Sequence, residues 1–267
     1  MSLHSGAIGV FDSGVGGLSV LHHIRRTLPH ERLIYVADSG HVPYGDKPAS
    51  YIEQRSLLLT RFLIEQGADA IVIACNTATA AAAATLRSQF DLPILAMEPA
   101  VKPAVAATRS GVVGVLATIG TLESARFAAL LEKYAGEVEI VTQGCPGLVE
   151  QIERGDLDGP ETRALLERYT APLLACGADT LILGCTHYPF LAPLIREIAG
   201  DSIALIDTGE AVARHLQRRI QTELTGRTQA DASVQFFTSG DAAQASDIMS
   251  LLWGETVTAQ RLPQIFL

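Results

Sequence analysis

Two cysteines stand at matching positions of an internal repeat. Residues 67–77 read Gly-Ala-Asp-Ala-Ile-Val-Ile-Ala-Cys-Asn-Thr, and residues 177–187 read Gly-Ala-Asp-Thr-Leu-Ile-Leu-Gly-Cys-Thr-His, which places Cys75 and Cys185 110 residues apart. In each copy a short apolar run ends at the thiol and continues into polar residues. Because a thiolate can act as a nucleophile, a metal ligand or a proton acceptor, the repeat predicts a site that acts on a substrate from two sides.

The elements that must position these thiols form an alternating pattern. Nearly continuous apolar runs are typical of parallel strands buried on both faces, and their alternation with helical patterns indicates βαβ units. Strands are predicted at residues 8–11, 33–37, 70–74, 94–97, 111–117, 138–142, 180–184 and 203–206. Helices are predicted at 17–27, 51–66, 78–89, 121–134, 161–176 and 189–198, with a helical turn at 147–153.

The pattern predicts a duplicated α/β domain, because each half has about four strands in the same order. The residues after Asp207 have no counterpart in the first half. They are predicted to form helices at 210–222 and 242–252 and a strand at 234–237, and they could close onto either half. Ligands of parallel sheets bind beyond the carboxyl ends of the strands, so the residues found there are the candidates for chemistry.

Composition excludes several classes of protein. A chain of 267 residues with 48% apolar residues is typical of one large or two small globular domains. The net charge of −9 argues against a nucleic-acid partner, and the apolar runs are too short to cross a bilayer. Residues 1–6 lack a basic stretch followed by an apolar one, so no signal peptide is expected and the protein is predicted to be cytoplasmic.

The four cysteines contain no Cys-x-x-Cys pair, so neither a disulfide framework nor a thiol-redox site is expected. Cys185 and His187 are the only neighbouring pair with metal-ligand character, and no metal site is predicted. Cys176 is interpreted as a core residue of a Leu/Ala-rich helix, and Cys145 as a structural residue of a loop.

Three polar segments follow predicted strands. Residues 12–17 read Asp-Ser-Gly-Val-Gly-Gly and lack a full dinucleotide-binding pattern. Two interpretations of this segment remain open: a turn that binds a carboxylate, and a simple turn between a strand and a helix. Residues 38–47 are predicted to form an ordered, exposed loop, in which the Pro-Tyr-Gly sequence at 43–45 presents backbone amides and a phenol, or is only a surface turn. Cys75 precedes a helix, whose N-terminus favours a thiolate, and Cys185-Thr-His-Tyr-Pro repeats this layout.

Each thiol has a candidate partner. His187 lies two residues after Cys185 and is either its hydrogen-bonding partner or a loop histidine. Asp12 is expected near Cys75, because the first and third strands are commonly neighbours in such sheets. From its spacing alone, Glu153 is predicted to face solvent.

Two matched acid/base groups suit inversion at a carbon atom. One thiolate removes a proton and the other thiol returns a proton to the opposite face, while polar side chains and backbone amides stabilise the carbanion. A single cysteine beside a histidine would instead indicate acyl transfer, which does not need a duplicated thiol. No lysine stands where a Schiff base is expected, so no cofactor is predicted.

Four motifs resemble those of the cofactor-independent glutamate racemases, and the resemblance covers nearly the whole chain. They are Phe11-Asp-Ser-Gly-Val-Gly-Gly17, Pro43-Tyr-Gly45, Cys75-Asn-Thr77 and Gly184-Cys-Thr-His187. The resemblance implies an isomerase that interconverts L- and D-glutamate for peptidoglycan synthesis. It also implies two pseudo-symmetric α/β lobes, each a mainly parallel sheet flanked by helices, with the active site in the cleft between them. The first lobe would comprise residues 1–98 and 210–267, and the second 99–209.

The resemblance also implies the roles of individual residues. Cys75 and Cys185 would be the acid/base pair, with Cys75 deprotonating D-glutamate and Cys185 deprotonating L-glutamate. Asp12, His187 and Glu153 would assist catalysis, Glu153 because residues 145–153 are similar to a family motif that ends in a glutamate. Substrate contacts are expected from Asp12, Ser13, Tyr44, Gly45, Asn76, Thr77, Thr118, Thr121, Thr186 and His187.

Alternative functions remain open on the sequence. A related racemase of the aspartate type is the nearest, although such relatives commonly carry an acidic residue at the position of His187. A decarboxylase on a similar scaffold needs only one thiol, and a non-catalytic amino-acid-binding protein needs none. The expected partner is glutamate, with no nucleic acid and no membrane, and a homodimer is one alternative for the assembly.

Overall fold

The computed structural model describes residues 6–134, 136–224 and 232–267. The described residues form two compact units. The first unit runs to Met97 and includes Gly209–Leu267, and the second is Glu98–Thr208. The prediction about a signal peptide concerns residues 1–6, of which 1–5 lie outside the described residues.

The strands and helices alternate along the described chain. The strands are β1 Ala7–Asp12, β2 Arg32–Ala37, β3 Ala68–Ile73, β4 Ile94–Ala96, β5 Val112–Ala117, β6 Glu139–Gly144, β7 Thr180–Leu183, β8 Ala204–Ile206, β9 Val234–Thr238 and β10 Ala259–Arg261. The α-helices are α1 Leu18–Thr27, α2 Ala49–Glu65, α3 Asn76–Gln89, α4 Val101–Ala107, α5 Ile119–Leu122, α6 Ala125–Lys133, α7 Leu148–Glu153, α8 Pro160–Ala175, α9 Ala192–Ala199, α10 Gly209–Glu223 and α11 Ala242–Trp253. Short 3-10 turns lie at Val15–Gly17, Tyr44–Asp46, Tyr188–Leu191 and Gln264–Phe266.

The first unit is built on a six-stranded sheet in the order β10-β9-β2-β1-β3-β4. All neighbouring strands are parallel, and Phe11 of β1 pairs with Ile73 of β3. Every residue of β1 is buried, as expected for a central strand of a parallel sheet. The segment after Asp207, which the sequence left open, adds β9 and β10 to the edge of this sheet.

The second unit contains a four-stranded parallel sheet in the order β6-β5-β7-β8. This order repeats the order β2-β1-β3-β4 of the first unit, so the predicted repeat of four strands is confirmed. The predicted α/β class, with parallel sheets flanked by helices, is also confirmed. Helix α8 packs against β5 and β6, and α4 packs against β7.

Several local features differ from the prediction. The helix predicted at 121–134 is divided into α5 and α6, because the Ser124 hydroxyl accepts a hydrogen bond from the Phe127 amide and starts a new helix. Helix α4 and strand β10 were not predicted. Cys176 is exposed, so its assignment to the core is wrong: it caps the end of α8 rather than lying on the buried face.

The C-terminal residues pack into the core of the first unit. The ring of Phe62 in α2 meets Phe237 of β9 and Phe266 edge to face, with ring centroids 4.9 and 5.3 Å apart. Such pairs contribute about 0.5–1.5 kcal/mol each beyond the burial of their area. The last turn of the chain is therefore anchored beside α2. No helix in the described parts of the chain is both long enough and apolar enough to span a membrane.

Candidate active site

Cys75 caps the N-terminus of α3 directly after β3. Its sulfur accepts a hydrogen bond from the Ala78 amide at 3.4 Å, and the residue is 5% exposed. The thiol also donates to the Ser13 hydroxyl, with Sγ and Oγ 3.8 Å apart. An amide and the positive end of a helix both favour negative charge on the sulfur, so this position suits a thiolate.

Asp12 and Ser13 reach Cys75 because β1 and β3 are adjacent parallel strands. The Asp12 carboxylate is fully buried and accepts hydrogen bonds from the Ser13 amide at 2.6 Å and from the Ser13 hydroxyl at 3.2 Å. The Ser13 hydroxyl therefore links the carboxylate with the thiol. The sequence predicted Asp12 as the partner of Cys75, and the structure places Ser13 between them.

Asn76 and Thr77 form the first turn of α3 and are both buried. They follow Cys75 directly in the chain, at the N-terminus of the helix that this cysteine caps. Four of the predicted substrate contacts, Asp12, Ser13, Asn76 and Thr77, are thus collected at the carboxyl ends of β1 and β3.

The loop after β2 differs from the expectation of an exposed turn. Tyr44 is only 1% exposed, and its phenol donates to the Asp38 carboxylate at 2.5 Å. Burial comes first among the causes that raise the pKa of Tyr44 well above its ordinary value, followed by Asp38 and Cys75, so the phenol remains a neutral donor. Substrate contact by Tyr44 therefore stays a prediction, and Gly45 is partly exposed beside it.

In the second unit, Cys185 follows β7 and joins a chain of three polar side chains. Its sulfur is 3.6 Å from His187 Nδ1, and His187 Nε2 is 2.7 Å from Glu153 Oε1. The side chains of His187 and Glu153 are 1% and 12% exposed. The prediction from spacing that Glu153 faces solvent is wrong, because it lies at the end of α7, where it meets the imidazole.

The hydrogen bonds of His187 favour its positively charged form. Burial alone would lower the pKa of His187, but hydrogen bonds to Cys185 and Glu153 outweigh it and hold the pKa well above the ordinary histidine value. The imidazole thus lies between the Cys185 sulfur and the Glu153 carboxylate and is hydrogen-bonded to both. The two thiols therefore have different partners: a helix N-terminus and a hydroxyl for Cys75, a charged imidazole for Cys185.

The threonines predicted in the second unit lie at the ends of β5 and β7. The Thr118 hydroxyl caps α5, accepting from the Thr121 amide at 3.3 Å and donating to the Thr121 hydroxyl at 3.0 Å. Thr186 is buried between Cys185 and His187. Because β5 and β7 are neighbours, these hydroxyls share one edge of the sheet with Cys185.

A sequence profile described as Asp/Glu/Hydantoin racemase matches residues 8–216, which is more than half of the chain. The chain belongs to the Asp/Glu/hydantoin racemase family. A glutamate racemase from Ectopseudomonas mendocina is 60% identical over 256 residues, which cover 96% of this chain and 97% of that relative.

Solved structures agree with this membership in the Asp/Glu/hydantoin racemase family. A glutamate racemase from Bacillus anthracis has a TM-score of 0.88 and 30% identity, and the match covers 98% of this chain and 99% of that one. An Escherichia coli glutamate racemase, solved with L-glutamate and the activator UDP-MurNAc-Ala, has a TM-score of 0.87 and 32% identity, with 96% and 98% covered.

Cys145 is a third buried thiol in this racemase-family chain, and it differs from the other two. It follows β6, and its carbonyl accepts from the buried Tyr188 phenol at 3.4 Å. Burial, and then the nearby Cys185, raise the pKa of Cys145 to about 12. Cys145 therefore stays protonated over the physiological range. Among the described residues, no group of three or more His, Cys, Asp or Glu side chains could hold a metal ion.

Gly184 is the residue that sets the position of Cys185 against β5. A Cβ atom added there would lie 2.9 Å from the Leu116 carbonyl oxygen and 3.0 Å from the Ala117 Cβ. We expect Gly184→Ala to push the end of β7 away from β5, to destabilise the protein by about 1–3 kcal/mol and to lower racemisation activity. Urea unfolding followed by circular dichroism measures the first effect, and a chiral assay measures the second.

The matched control is Ala74→Gly at the equivalent position of the first repeat. It removes one methyl group without creating a clash, so its cost is limited to about 0.5–1 kcal/mol. Equal unfolding midpoints for Gly184→Ala and the unsubstituted protein would show that the strands tolerate the added methyl group.

Proposed function

We propose that this protein interconverts L- and D-glutamate, acting as a glutamate racemase in which Cys75 and Cys185 exchange protons with Cα. The observation that carries the proposal is the repetition of one arrangement. In each unit a central parallel strand is followed by a buried thiol that is hydrogen-bonded to a polar relay, Ser13–Asp12 in one and His187–Glu153 in the other. The similarity to glutamate racemases over nearly the full chain supports glutamate as the substrate.

The proposed reaction begins with one thiol ionised and the other protonated. The Cys185 thiolate takes the Cα proton of L-glutamate to form an S–H bond, and the C–H electron pair remains on Cα and its carboxylate. The Cys75 thiol then gives its proton to the opposite face of Cα and becomes a thiolate. The product is D-glutamate, and the enzyme is left in the form that accepts D-glutamate for the reverse reaction.

This chemistry requires that both sulfurs reach a single carbon atom in the reacting complex. It also requires stabilisation of the negative charge that develops on the substrate. Backbone amides at the start of α3 and the buried hydroxyls near both thiols are donors of the kind that stabilise such charge. The His187 imidazolium adds a positive charge on the side of Cys185.

Binding of a dicarboxylic amino acid needs several fixed hydrogen-bond donors. We assign this role to Ser13, Asn76 and Thr77 in the first unit and to Thr118, Thr121 and Thr186 in the second. The turn that contains Tyr44 and Gly45 contributes through its backbone, because the Tyr44 phenol is bound to Asp38. Asp12, Glu153 and His187 act mainly on the thiols.

In the cell, D-glutamate from this reaction would supply peptidoglycan synthesis, which places the enzyme in the cytoplasm. The two units are proposed to be the two lobes of the enzyme, and a homodimer is the assembly hypothesis. Sedimentation equilibrium of the purified protein distinguishes a monomer of 28.4 kDa from a dimer.

Chiral chromatography tests the proposed activity. Purified protein incubated with either enantiomer of glutamate, without added cofactor, is expected to produce an equimolar mixture. Aspartate should react at least about 100-fold more slowly, because it lacks one methylene and its second carboxylate cannot reach the same donors. Faster inversion of aspartate would assign the site to that substrate instead. Binding of glutamate without inversion would make the protein a non-catalytic amino-acid-binding protein.

A further inference from the structure

A buried arginine connects the loop after β2 with the C-terminal turn of the chain. Arg55 lies in α2 and is 5% exposed. Its Nε and Nη2 atoms donate to the two oxygens of Asp38 at 3.0 and 2.8 Å, and Nη2 also donates to the Phe266 carbonyl at 2.9 Å. A bidentate pair of this kind fixes the plane of the carboxylate as well as its position.

Asp38 in turn binds and orients the Tyr44 phenol. The carboxylate is fully buried and accepts the Tyr44 phenol at 2.5 Å in addition to the two bonds from Arg55. Tyr44 begins the 3-10 turn Tyr44–Asp46, which contacts α3, the helix that Cys75 caps. Tyr44, Cys75 and Phe266 all belong to one apolar cluster of the first unit.

We propose that Arg55 is a positioning residue for the half of the reaction that Cys75 carries out. Arg55 binds Asp38, Asp38 binds the phenol of Tyr44, and Tyr44 begins the turn that contacts α3, the helix capped by Cys75. The guanidinium also binds the Phe266 carbonyl, so the C-terminal turn is part of the same hydrogen-bond network. This inference rests on the proposed function.

Rates alone cannot assign an effect to one thiol. The two enantiomers have equal free energy in solution, so kcat/KM is the same in both directions for every variant. Isotope effects distinguish the proton transfer at Cys75 from the proton transfer at Cys185. Deuterium at Cα of D-glutamate is removed by Cys75, and deuterium at Cα of L-glutamate is removed by Cys185. When the Cys75 step becomes slower, the isotope effect on kcat/KM rises for D-glutamate and falls towards its equilibrium value for L-glutamate.

Arg55→Lys is the test variant, because lysine keeps the charge but lacks the planar fork that binds both oxygens of Asp38 and the Phe266 carbonyl. We expect kcat/KM to fall by about 10- to 100-fold, the cost of a misplaced reacting group. We also expect the ratio of the isotope effects, D-glutamate over L-glutamate, to rise above that of the unsubstituted protein.

Tyr44→Phe is the second variant. If Arg55→Lys does not fold, the isotope-effect ratio of Tyr44→Phe alone tests the inference. Tyr44→Phe keeps the buried ring and removes only the bond to Asp38, so the same change in the isotope-effect ratio is expected. Arg219→Lys is the matched control, since Arg219 pairs with Glu223 on α10 at a partly exposed position of the same unit. It should leave both the rate and the ratio unchanged.

The outcomes separate this inference from the proposed function. A lower rate with an unchanged isotope-effect ratio in Arg55→Lys and Tyr44→Phe would reduce Arg55 to a structural residue and overturn the inference. Absence of racemisation in the unsubstituted protein would overturn the proposed function itself.

Discussion

Replacing Cys75 or Cys185 with serine is expected to lower the rate of racemisation in both directions by at least about 10²–10⁴-fold, the contribution of a positioned acid or base. Both directions should fail together, because in the proposed mechanism each inversion uses one thiol as the base and the other as the acid. A hydroxyl at the same position ionises far less readily than a thiol and cannot replace it in either role.

Cys176→Ser is the matched control for this experiment. Cys176 is exposed at the end of α8 and belongs to neither polar relay, so its replacement should leave activity unchanged. All variants are compared by chiral chromatography from each enantiomer, after circular dichroism has shown that they are folded. Near-normal turnover in either Cys75→Ser or Cys185→Ser would remove that residue from the mechanism.

The second large effect is expected at His187. His187→Asn removes the positive charge beside Cys185 and the Nε2 bond to Glu153, so racemisation should fall by about 10²–10⁴-fold. Glu153→Gln should have a smaller effect, since a glutamine can still accept a hydrogen bond from the imidazole but offers no negative charge to it.

The pH dependence of Glu153→Gln is a more specific expectation. The raised pKa keeps His187 charged above the pH range in which a histidine ordinarily titrates. Replacing Glu153 removes a negative charge that raises this pKa. The decline of kcat/KM at alkaline pH, the alkaline limb of the profile, should therefore move to lower pH. The stability due to His187 follows the same sign: it is fully present below the ordinary histidine pKa and is lost as pH rises through the raised value. Activity should also fall at low pH, where the attacking thiolate is protonated.

Glu150→Gln provides the control on the same helix α7. It changes an equivalent charge that does not bind His187, and the alkaline limb should stay where it is. An unchanged limb in Glu153→Gln as well would show that the carboxylate does not hold the charge of the imidazole. The profiles are measured as kcat/KM against pH for both enantiomers.

The framework of the fold follows from local patterns. Strands such as β3 and β7 are short apolar runs buried on both faces, and such runs are recognised without knowledge of their neighbours. The thiols that end them are visible for the same reason. Strand β10 was missed because only Ala259 of its three residues is buried, so it shows no apolar run.

Details of the site depend on contacts that no local pattern contains. Glu153 looked solvent-facing because α7 is short and its last residue meets an imidazole 34 positions further along the chain. Tyr44 looked exposed because its burial depends on a carboxylate and an arginine outside its own turn. Arg55 was not predicted at all, since its partners are 17 positions before it and 211 positions after it.

The most direct test of two opposed thiol bases is the position of the isotope label at early conversion in deuterated water. Starting from L-glutamate, we expect deuterium at Cα of the D-glutamate formed and protium in the L-glutamate that remains, and the mirror-image result from D-glutamate. Deuterium appearing equally in product and remaining substrate from the start would indicate one shared base. Product that keeps its original hydrogen would contradict the mechanism altogether.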